Sequence, residues 1–139
     1  MSVTRLRERR DLCRTLLELS DRQRAALAER RYDDLIVLLG EKRTLLDRLA
    51  VLSSAARNWA AERVFLSAAD RAAGEELLVE GNGMLGEAER DEQQDIAELT
   101  DQRDATQAEL LEISSAGRVH SAYRDALAPA THRSLDVDR

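Results

Sequence analysis

Apolar positions along the chain recur in alternating steps of three and four. Leu35, Leu38, Lys42, Leu45, Leu49, Leu52, Ala56 and Trp59 form one such stripe. Leu85, Glu89, Glu92, Ile96, Leu99, Arg103, Thr106, Leu110 and Ile113 form a second in the same rhythm. That spacing holds one side of a helix against a neighbouring helix turn after turn. It predicts an all-α fold, an antiparallel bundle of three to four long helices with coiled-coil-like packing. Such an arrangement leaves almost no room for a catalytic cleft, and its expected product is a surface that binds another protein.

The elements follow from where the pattern starts and stops. A first helix is expected from about Thr4 to Ala28, with Leu6, Cys13, Leu16, Leu17, Ser20 and Leu27 mainly on one side. Neither Gly nor Pro marks its end. The break expected at Glu29–Tyr32 rests on Asp33 as an N-cap, with Tyr32 and Val37 placed to form a hydrophobic staple. A continuous helix through this point is the alternative. A second helix from about Asp33 to Arg63 carries the first stripe, and Leu39 and Leu46 widen it toward more than one neighbour. Ser67 followed by Asp70 reads as the start of a third helix reaching about Ser114 or Ser115. Helix three is then much longer than helix two, so part of it either projects alone or folds back at Gly81-Asn82-Gly83 and Gly86. Gly117 punctuates the chain before a short helical piece, Arg118–Leu127, and Pro129. Residues 1–128 are thus expected to form one helical domain, and 129–139 a flexible tail.

Charge divides unevenly along this framework. The net charge is −6, yet residues 75–112 hold thirteen acids against only Arg90 and Arg103. A solvated acidic face is the plain reading; if the N-terminal helix or its neighbour packs against this segment, the opposite signs favour that pairing over self-association. Cys13 is the only cysteine, which excludes an intramolecular disulfide and a cysteine-based zinc cluster; among leucines it reads as a small buried residue. The longest apolar run, Leu35–Leu39, falls far short of the ~20 residues that span a bilayer. MSVTRLRERR is basic with no apolar core after it, so no secretory signal is expected and a reducing cytoplasm is the simplest location.

Enzyme signatures are absent: the chain has no phosphate loop, dinucleotide fingerprint or nucleophile elbow. No catalytic, cofactor or metal residues are expected. His120 and His132 lie twelve residues apart with no helical partner ligand, and no Glu-x-x-His pair exists for a di-metal bundle. The arginines of the first helix surround it rather than form a stripe, which with the acidic second half speaks against nucleic acid. Three features exceed plain packing. Lys42, the only lysine, occupies a seam position, where it either reaches an acid, marks register or meets a partner. Glu89 and Glu92 sit in the seam of helix three, which either lacks a neighbour there or awaits one. Tyr123 stands just before the tail, either packed or docking.

Taken together, Ala26-Leu27 and Asp33-Asp34-Leu35-x-x-Leu38-x-x-x-Lys42-x-x-Leu45-Leu46-x-x-Leu49 resemble the helical-hairpin signature of FlgN/FliT-type flagellar export chaperones. Asn82-x-x-Leu85 in a long helix and Tyr123 before a polar tail are similar to that family too, so the resemblance spans about residues 12–127. It implies a cytoplasmic chaperone that is not an enzyme and needs no cofactor. Its partners would be flagellar hook-associated (hook–filament junction) proteins and the type III export gate. Carried over, gate docking falls to Tyr123, and cargo binding to exposed apolar positions of the late helix, Leu110, Ile113 and Leu127. Here Arg124 and Asp125 follow that tyrosine, where the family often has glycine. A chaperone of this kind is expected to be a monomer or weak homodimer without nucleic-acid binding or membrane insertion. The rival expectation is a structural coiled-coil scaffold or oligomer subunit whose seams are satisfied by its own copies.

Overall fold

The first helix ends without glycine because an arginine takes the left-handed conformation that glycine usually supplies. Arg30 has φ 55°. The amide of Arg31 donates to the Ala26 carbonyl at 2.8 Å and that of Arg30 to the Leu27 carbonyl at 3.1 Å, closing the last turn of α1. A Cβ in this conformation costs about 1–2 kcal/mol. Arg30→Gly is therefore expected to raise stability by about 0.5–1 kcal/mol, less than the full strain because glycine gains freedom in the unfolded chain; thermal unfolding checks it.

The computed structural model describes residues 2–127. Its elements are α1 (Ser2–Ala28), α2 (Tyr32–Glu62), a 3₁₀ turn (Arg63–Phe65) and α3 (Ala68–Leu127), with no strand among the described residues. The chain is all-α. Two local expectations need correction. Asp33 is not the N-cap of α2: that place belongs to Arg31, which makes no side-chain cap bond. Arg31 instead pairs with Glu29 and Asp34, while Asp33 and Asp34 lie in the first turn, where they favour the positive end of the helix dipole. Tyr32 is thus already helical and Val37 is 60% exposed, so the staple is not formed. At the other junction the expected start is present, the amide of Asp70 donating to Ser67 Oγ at 3.1 Å.

The second correction concerns α3. It neither breaks at Gly81–Gly86 nor stops at Ser115, but continues through Gly117 to Leu127. Two of its glycines make room instead of bending the helix. The Trp59 ring lies flat on Gly74, so close that an added Cβ would overlap it. The Arg9 guanidinium crosses Gly81, where a Cβ would stand 2.9 Å from its Nη1, on its way to donate to Asn82 Oδ1 at 2.8 Å.

By packing, the described residues divide into two units, one up to Glu98 and one from Leu99 onward. In the first, Leu6 packs with Ala55, Trp59 and Leu77. Cys13 and Leu16 pack with Leu49 and Ala88, and Leu19, Ala26 and Leu27 with Leu35 and Leu38. α2 therefore runs opposite to α1, and the part of α3 up to Glu98 runs along with α1. Burial raises the pKa of the Cys13 thiol, as befits a packing residue. The described part of the second unit is the stretch of α3 from 99 to 127. The tail expected over 129–139 lies outside the described residues.

Candidate functional site

The seam lysine turns out to face an acid. Lys42 is 5% exposed, its ammonium pairing with Glu92 of α3 and donating to Gln23 Oε1 of α1 at 2.9 Å. Gln23 Nε2 in turn donates to Asp95 Oδ2 at 2.9 Å and to Glu92 Oε2 at 3.2 Å. Arg24 completes the layer, 2.9 Å from Asp91 and 3.6 Å from Asp95. One polar layer thus ties three helices at a single height. Buried ionic groups of this kind contribute little net stability but penalise every other register, because a slipped helix strands a charge.

Burial is the largest influence on Asp95 and lifts its pKa above the ordinary 3.8, more than the Arg24 charge lowers it. The folded chain therefore keeps this proton to higher pH than the unfolded chain, and the group makes stability fall as pH rises from 3.8 through the folded value. Asp95→Asn keeps an acceptor for Gln23 and removes that slope. The stability of this variant relative to wild type is expected to increase with pH above 3.8 and then level off, as urea unfolding at several pH values would show.

Beside Lys42, the walls of α2 and α3 leave an open groove of about 620 Å³. Leu16 lies at its base, Leu39 and Leu46 line one wall, and Leu85 and Ala88 the other, with Arg43, Asp47 and Glu89 around them. Leu39 and Leu46, the residues that widen the first stripe, are 41% and 44% exposed. The groove went unnoticed in the sequence. Its signal was that second row of leucines on α2, and its opposite wall is legible only once α3 is placed.

The residues singled out for partner contact lie in the second unit. Leu110 is 60%, Ile113 68% and Tyr123 68% exposed, as are Leu111 and Val119 to similar degrees. Leu127 ends α3, and its side chain lies outside the described residues. Along 99–126 Gln102 is the one buried residue described. The second stripe is thus not the seam of α3, which buries Leu77, Ala88, Asp95 and Gln102; its apolar members Ile96, Leu99, Leu110 and Ile113 are open to water, the condition a docking face requires. Phe65, 88% exposed between α2 and α3, was not picked out in the sequence and has no motif around it.

Among the described residues no group of three or more His, Cys, Asp or Glu is placed to hold a metal ion, and no helix is long and apolar enough to cross a membrane. Fold and surface together define an all-α chain with a polar interhelical layer and a long exposed helical stretch that carries scattered apolar side chains. Compared with family models, curated proteins and solved structures, it matches none.

Proposed function

We propose that this chain is a non-catalytic cytoplasmic chaperone of the flagellar type III export kind. It would hold an amphipathic segment of a hook–filament junction protein and deliver it to the export gate. The observation that carries this reading is the exposed aliphatic line Leu99, Leu110 and Ile113 on one side of α3 beyond Glu98, with Leu111, Val119 and Tyr123 exposed on its other sides. An amphipathic client helix laid on that face buries its own apolar side and the exposed stripe in one step. The cost of ordering a disordered client end keeps the affinity modest, as a cargo that must be released requires. The support on which the face is built is, in this reading, an antiparallel helical bundle with coiled-coil-like seams. Three joint core clusters and the Lys42–Glu92 layer support that description.

Two substitutions separate the roles. Leu110→Asp is expected to weaken client binding by about ten-fold or more, since burying a leucine is worth about 1.5–3 kcal/mol and 1.4 kcal/mol is ten-fold. Melting of the free chain should stay nearly unchanged, because the side chain is 60% exposed. Tyr123→Ala should leave helicity and client affinity intact while weakening binding to the gate's cytoplasmic domain. Calorimetric titration with purified hook–filament junction protein and gate domain tests both. Unchanged client affinity in Leu110→Asp would remove this face from the proposal, and a chain that binds no junction protein would favour the scaffold.

A further inference from the structure

Between Leu39 and Val51 the outward face of α2 is its own complement. Leu39, Gly40, Arg43, Asp47, Ala50 and Val51 are all exposed and lie along one side of the helix. Turn a second α2 end for end, about an axis crossing the helix at the level of Leu45. Arg43 then comes opposite the copy's Asp47, Gly40 opposite its Ala50, and Leu39 opposite its Val51. Each pairing is chemically matched: cation with anion, small with small, aliphatic with aliphatic. Arg43 and Asp47 have no ion-pair partner among the described residues, although charged neighbours on the same helix do: Glu41 with Arg22, and Arg48 with Glu8. Gly40 has open space where a Cβ would be, and small residues at a crossing let helix axes approach closely. Leu39, Arg43 and Asp47 also line the groove beside Lys42, so a helix lying on this face covers the groove mouth.

We infer that the occupant of this face is a second copy of the chain, joined through antiparallel α2 helices about a two-fold axis. Such an interface uses the same patch on both subunits, and charges placed four residues apart across the axis serve twice. A foreign partner has no need of a face matched to its own reversal. The inference does not rest on the client reading, which concerns the stretch of α3 beyond Glu98.

Charge reversal tests it on the full-length chain. By sedimentation velocity the wild type is expected to be dimeric at tens of micromolar. Arg43→Asp and Asp47→Arg should each weaken association at least ten-fold, since each sets like charges across the axis. Mixing these two variants in equal amounts should restore the dimer, because every cross-axis pair is then opposite in sign. Gly40→Leu supplies a control: its added Cβ meets nothing within 4 Å and leucine favours the helix, yet the side chain wedges the crossing apart. It should melt no lower than wild type at low concentration and sediment as a monomer. A monomeric wild type at 100 µM would overturn the inference. So would a dimer indifferent to these changes, or variants whose mixture stays monomeric, and the face would then belong to a foreign helix or to none.

Discussion

Lys42→Met is expected to destabilise the fold by about 2–3 kcal/mol, although methionine is apolar and fits the stem of the lysine. Removing one member of a buried ion pair costs about 3–5 kcal/mol because the other is stranded, and the lower range applies here because the Glu92 side chain is 36% exposed. The loss has a second source in Gln23. Its Oε1 accepts from Lys42 while its Nε2 donates to Asp95 and Glu92, so the layer loses the bond that fixes the amide's orientation. Pairing the change with Glu92→Leu should recover most of the loss, since two apolar groups of similar volume replace two charges. Urea unfolding of the two single variants and the double gives the coupling directly. A double variant as unstable as the sum of the singles would show that Lys42 and Glu92 act separately.

Gly74→Ala should lower stability by about 3 kcal/mol, against the rule that alanine in a helix interior gains about 1 kcal/mol over glycine. The reason is the indole of Trp59. It occupies the space of the missing Cβ, and the ring is itself 4% exposed with Leu6, Ala55 and Leu77 around it. An added Cβ overlaps the ring, and overpacking of this kind costs about 1–3 kcal/mol or more. For a unit of this size the expected fall in Tm is about 10 °C or more. Gly83→Ala and Gly117→Ala, whose added Cβ meets nothing within 4 Å, should instead raise helix stability by about 1 kcal/mol each. A destabilised Gly83→Ala, or a neutral Gly74→Ala, would contradict the packing described here.

These two cases show what a sequence displays and what it conceals. The seam of α2 was legible because burial repeats with the helix period: Leu35, Leu38, Lys42, Leu49, Leu52 and Trp59 of the stripe are buried, while Leu45 and Ala56 are half-buried and Ala55 is buried beside them. The oddity of Lys42 was legible too, but its resolution was not: Glu92 lies fifty residues away and meets it only when α2 and α3 adopt their register. The glycines of α3 read as breaks because their local cost is known from the residue alone. What Gly74 and Gly81 accommodate, Trp59 and Arg9, belongs to other helices and leaves no local mark. The turn after α1 was placed correctly for a different reason than the one that operates. An arginine in the left-handed conformation carries no signature in composition, whereas Asp33 looked like a cap and is merely an early helical acid. The second stripe is not the buried line of α3: Leu77, Ala88, Asp95 and Gln102 are buried, whereas Ile96, Leu99, Leu110 and Ile113 of the stripe are exposed, because the packing of α3 selects a different side from the one its apolar spacing suggests.

Amide hydrogen exchange across residues 99–127, with and without a hook–filament junction protein, tests the client-binding claim most directly. The proposal predicts rapid exchange in the free chain and strong protection centred on Leu110 and Ile113 once the client is added, with the amides of α1 unchanged. Protection already present in the free chain, or none gained at saturating client, would contradict it.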